Sequence, residues 1–62
     1  MSKDIERAYI WAIKENFKAL NNNTIESGKG FINISRLLNN AEKDNYKIDY
    51  EKISKENFRP FN

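Results

Sequence analysis

At 62 residues, with 11 Lys or Arg against 9 Asp or Glu, the chain carries a net charge of +2 and an isoelectric point near 9.0. A chain this short buries only about 60% of the surface its unfolded form exposes, so it supports a single small domain over residues 1–62. Cysteine and histidine are both absent, which excludes disulfides, zinc-finger spacings, imidazole bases and thiolate nucleophiles, and no cofactor is implied.

The charged start, Met1-Ser2-Lys3-Asp4-Ile5-Glu6-Arg7, holds no apolar run long enough for a signal peptide or a membrane span. A cytoplasmic location with no membrane partner is the expectation. Abundant Asn, Lys and Ile share AT-rich codons, an association with low-GC genomes such as those of phages and plasmids.

The first helix is predicted over Lys3 to Leu20, with Ser2 as N-cap, Asp4 and Glu6 in the first turn and Lys18 in the last, as the helix dipole favours. At about 100° per residue, Lys3, Arg7, Trp11, Lys14 and Lys18 share one face, while Ile5, Tyr9, Ala12, Ile13, Phe17 and Leu20 lie opposite. A helix whose apolar side already supplies its packing has no structural need of a tryptophan among cations. The stripe is therefore a candidate contact surface. An ordinary explanation competes with it, because Lys3, Arg7 and Lys18 each have a carboxylate three residues away, in Glu6, Asp4 and Glu15, and only Lys14 has none.

Asn21-Asn22-Asn23-Thr24 is predicted to end this helix, since asparagine side chains compete for backbone hydrogen bonds. Residues 24–30 read as a loop whose glycines, Gly28 and Gly30, permit positive φ. The Gly28-Lys29 pair does not make a phosphate-binding loop, because Asn23 stands where the leading glycine is needed and Gly30 where Ser or Thr is needed.

A second helix is predicted over 33–43, capped by Asn33, with Ile34, Leu37, Leu38 and Ala41 inward. The third is predicted over 50–57, capped by Asp49, with Tyr50 and Ile53 inward. Pro60 ends any helix, and Phe58 and Phe61 are expected to fold back over the core. The fold class is thus all-α, a small three-helix domain. A second reading is α+β, with a two-stranded ribbon formed by residues 31–34 and 46–50.

Leu37-Leu38, Ala41 and Ile48-Asp49 through Ile53 loosely resemble a helix-turn-helix, with a connection longer than usual and no turn glycine. In that arrangement the third helix would be the reader, through Lys52, Lys55 and Arg59, with Glu51 and Glu56 opposing phosphate. No carboxylate pair in an apolar setting and no nucleophilic elbow is present, so the chain is read as non-enzymatic. Two functional classes follow. One is a nucleic-acid-binding accessory or regulatory protein that uses Lys3, Arg7, Trp11, Lys14, Lys18, Lys52, Lys55 and Arg59. The other is a protein-interaction module, such as an inhibitor from a mobile element, anchored by Trp11 on an acidic partner, and self-association into a homodimer belongs to this class.

Overall fold

A computed structural model of the chain describes residues 2–59, apart from the side chain of Ser2. The expected Ser2 cap, and the parts expected of Pro60 and Phe61, lie outside the described residues. Three helices follow in order, α1 (Ser2–Asn21), α2 (Ser27–Lys43) and α3 (Tyr50–Asn57), and no strand occurs among the described residues. The fold is all-α. Residues 31–34 satisfy their backbone groups inside α2, and residues 46–49 form an unpaired link, so the ribbon alternative is overturned.

The apolar face of α1 builds the centre of the core. Ile13 and Phe17 are fully buried and cluster with Ile34 of α2 and Ile53 of α3, and Ala41 of α2 is buried as well. Tyr50 and Phe58 stack on Phe17 with ring centroids 5.9 and 5.6 Å away, and Phe31 meets Phe58 edge-on at 5.5 Å. Phe58 thus folds back as expected. Ile5, placed on the same apolar face by its spacing, is instead 50% exposed. Where α3 and its C-terminal extension meet α1, the aromatic contacts fall on Phe17 and the hydrogen bonds on Asn21, far from the first turn of α1.

α1 and α2 run antiparallel. Leu20 meets Gly30, Asn16 meets Asn33, and Tyr9 meets Asp44 just past the end of α2. Two corrections concern α2. It begins at Ser27, six residues before the predicted start, and both glycines lie within the helix with no positive φ. The position before it is Glu26, whose side chain caps nothing, and Asn33 is a mid-helix residue whose amide donates to Asn16 Oδ1 at 3.3 Å. Tertiary contact overrides local preference here. Gly30 is buried against Leu20, where any Cβ would collide, so the absent side chain is what lets the first turn of α2 close on the end of α1.

The positive φ angles belong to asparagines. Asn23 (φ 57°) and Asn45 (φ 67°) terminate α1 and α2 in the left-handed conformation that Asn tolerates better than most residues. In each case the next residue donates back five positions, Thr24 to Ala19 and Tyr46 to Ala41, which is the Schellman pattern that satisfies terminal carbonyls. Asp49 caps α3 as predicted, its carboxylate accepting from the Lys52 N–H at 3.1 Å. Residues 44–49 between α2 and α3 exceed the three or four of a helix-turn-helix, and both helices pack chiefly on α1. That resemblance draws no support from the packing.

Candidate functional site

Trp11 is 65% exposed, and Lys3, Arg7, Lys14 and Lys18 are exposed with it. At 1.5 Å per residue the stripe from Lys3 to Lys18 is about 22 Å long. Neither Lys3 with Glu6 nor Lys18 with Glu15 forms an ion pair among the described residues. Carboxylate neighbours three residues away therefore leave these lysines extended into solvent.

α1 delivers Trp11, Lys14 and Lys18, at i, i+3 and i+7, to one wall of an open groove of about 530 Å³. Glu56, Asn57 and Arg59 form the other wall, and Asn21 and Asn22 close one end. Asn21 fixes the two walls together. Its Nδ2 donates to the Asn57 carbonyl at 2.7 Å, and its Oδ1 accepts from the Arg59 N–H at 2.6 Å, so one amide satisfies two backbone groups at the end of α3. Asn57 in turn donates to the Ile53 carbonyl at 2.8 Å. The Arg59 guanidinium donates to the Phe58 carbonyl at 3.2 Å, beside the groove.

The eight residues singled out from the sequence therefore divide. Trp11, Lys14, Lys18 and Arg59 converge, Lys3 and Arg7 continue the same face of α1 beyond the groove, and Lys52 and Lys55 stand apart. These last two line a shallow hollow of about 490 Å³ with Asp49, Glu51 and Glu56, and Lys55 is paired with Glu51 at 3.3 Å. Two lysines among three carboxylates make a poor phosphate surface. Among the described residues no group of carboxylates is placed to hold a metal ion.

Asn21 was legible in the sequence only as a helix-ending residue, because its partners lie 36 and 38 positions away. Tyr9, read from the sequence as part of the apolar face of α1, also has a distant partner: its hydroxyl donates to Asp44 Oδ2 at 2.7 Å, and its ring lies 6.0 Å from that of Tyr46. Hydrogen bonding to Asp44, reinforced by desolvation and by the charge of the same carboxylate, raises the Tyr9 pKa above its ordinary 10.0. Tyr9 also lines a small apolar hollow with Ile5, Ala8 and Leu37.

No helix among the described residues is long and apolar enough to cross a membrane. Compared with protein-family models, with curated proteins and with solved structures, the chain matches none. On the surface of the molecule a largely exposed indole is bordered by cations from two separate segments.

Proposed function

We propose that this chain is a small non-catalytic nucleic-acid-binding accessory or regulatory protein, and that the groove beside Trp11 receives a single strand. The observation that carries the reading is the exposed indole set among Lys14, Lys18 and Arg59. An unpaired base stacks on an aromatic face with about 1–3 kcal/mol, and flanking ammonium and guanidinium groups neutralise the adjoining phosphates. Lys3 and Arg7 extend the same track along α1. Glu15 and Glu56 also line the groove, so three cations face two carboxylates there, and the resulting field is weak and easily screened.

Binding of a mixed-sequence single strand, titrated across salt, tests this. The slope of log K against log[salt] is expected to be about −0.7 for each phosphate contact, and replacing Lys14 and Lys18 together by Gln makes it shallower by about 1.4. Trp11→Ala lowers affinity by roughly 5- to 150-fold with the slope unchanged, because stacking releases no counterions. Absence of any single-strand binding at about 50 mM salt overturns the reading and leaves an acidic protein surface as the occupant of the groove.

A further inference from the structure

We infer that the outward face of α2 is a second contact surface, and that it docks in the major groove of duplex DNA. Lys29, Arg36 and Lys43 recur at i, i+7 and i+14, so at 100° per residue they fall within about 40° of one another around the helix. They stand away from the buried side formed by Gly30, Ile34 and Ala41, and all three are exposed. Ile32, 52% exposed, and Asn39 and Asn40 share this face.

Charge distinguishes this face from the two basic hollows described above. The groove beside Trp11 sets its three cations against Glu15 and Glu56, and the α3 hollow sets two lysines against three carboxylates. α2 contains a single carboxylate, Glu42, which lies about 100° round the helix from Lys43, and Glu26 and Asp44 flank its two ends. None of Lys29, Arg36 and Lys43 forms an ion pair among the described residues. Three exposed cations along one helix face suit an anionic partner.

Shape then selects among anions. The face runs along a 17-residue helix, with Arg36 and Asn40 at the edge that borders Ala12 and Asn16 of α1, so its complement is a groove. The major groove of B-form DNA, about 12 Å wide, admits an α-helix, whereas the major groove of A-form RNA is too deep and narrow for side chains to read. The cations are spaced about 10.5 Å apart along the axis. Arg36 at the centre, with Asn39 and Asn40 a turn further on, supplies the groups that pair with guanine and adenine edges, and Ile32 offers an apolar contact to a thymine methyl. Lys29 and Lys43, at the two ends, reach the phosphates. A membrane surface is a poorer match, because a helix lying on lipid needs a broad apolar face and Ile32 is alone here.

The two surfaces flank α1 on different sides. Ala12 and Asn16, which border the Arg36 and Asn40 side of α2, lie about 100° and 140° round α1 from Trp11. Separate variants therefore test them independently. The probe is a mixed-sequence DNA duplex of about 20 base pairs, titrated across salt, with an RNA duplex and phosphatidylserine vesicles as parallel probes.

Replacing Lys29, Arg36 and Lys43 together by Gln, in a protein whose circular dichroism is unchanged, is expected to make the duplex slope shallower by about 2.7. That equals removal of about 40-fold of the weakening seen between roughly 50 and 200 mM salt. Ile32→Ser and Asn40→Ala are expected to flatten sequence preference while leaving the slope as it was. Trp11→Ala leaves duplex affinity intact. A wild-type slope in the folded triple variant overturns the inference, as does an equal loss of binding to vesicles or to the RNA duplex. Loss of single-strand binding alone would sink only the groove beside Trp11, and loss of the duplex effect alone would sink only α2.

Discussion

Gly28 and Gly30 stand two positions apart in the same helix, yet the structure demands opposite responses to the same substitution. A Cβ built on Gly28 meets nothing within 4 Å, and its φ is not positive. Gly28→Ala should therefore stabilise the chain by about 0.5 kcal/mol, a first-turn share of the roughly 1 kcal/mol by which Ala exceeds Gly in a helix interior. A Cβ on Gly30 would collide with Leu20 Cδ2 and stand 2.7 Å from its Cγ and 3.0 Å from its Cδ1. Carbon atoms rest about 3.5–4.0 Å apart, so α2 must retreat by roughly 1 Å or Leu20 must leave its place. Overpacking of this kind costs about 1–3 kcal/mol, which outweighs the gain in propensity and leaves Gly30→Ala destabilised by about 1 kcal/mol.

Thermal and urea denaturation followed by circular dichroism measure the pair, and for a domain of this size each kcal/mol moves Tm by about 4–8 °C. Fluorescence is the wrong probe, because Trp11 is largely exposed already. A double-mutant cycle assigns the cause. Leu20→Ala alone loses packing, but in the Gly30→Ala background it relieves the collision, so the two changes should couple favourably by about 1 kcal/mol. If Gly30→Ala raised Tm as Gly28→Ala does, the close approach of α2 to Leu20 would be refuted.

Two further perturbations probe contacts between distant parts of the chain. Asn21→Ala deprives the Asn57 carbonyl and the Arg59 N–H of their partner, with an expected cost of about 1–2 kcal/mol and faster amide exchange at Arg59 than at Ile53. The Tyr9 hydroxyl should titrate above 10.0 by ultraviolet absorbance, and Asp44→Asn should bring it back toward that value, because the hydrogen bond to a carboxylate and then the carboxylate charge are lost. The folded state holds this proton more tightly than the unfolded chain does. Its contribution to stability is therefore complete below pH 10.0 and is lost as pH rises through the folded value, and the Asp44→Asn variant should show a weaker alkaline loss.

Features that depend on near neighbours were legible in the residues themselves. α3 spans the predicted 50–57 with Asp49 as its cap, and α1 departs from the prediction by one residue at each end. Spacing alone put Ile13 and Phe17 inside and Trp11 outside, because a 3.6-residue period assigns faces before any partner arrives. The start of α2 was not legible in this way. Ser27-Gly28-Lys29-Gly30 has the composition of a loop, and it is helical because Gly30 is seated against Leu20, ten residues back and across a turn.

The groove beside Trp11 follows the same division. Trp11, Lys14 and Lys18 share a face by helical periodicity, so the sequence alone determined that wall. Arg59 joins them only because Asn21 binds the end of α3, through an amide whose two partners no local pattern announces. Lys52 and Lys55, by contrast, fall among carboxylates by local spacing, since Asp49, Glu51 and Glu56 all belong to α3 or its cap. The physical reason is range: propensity, period and capping act over one or two turns, whereas a hydrogen bond or a steric fit between segments tens of residues apart exists only once the chain has closed on itself.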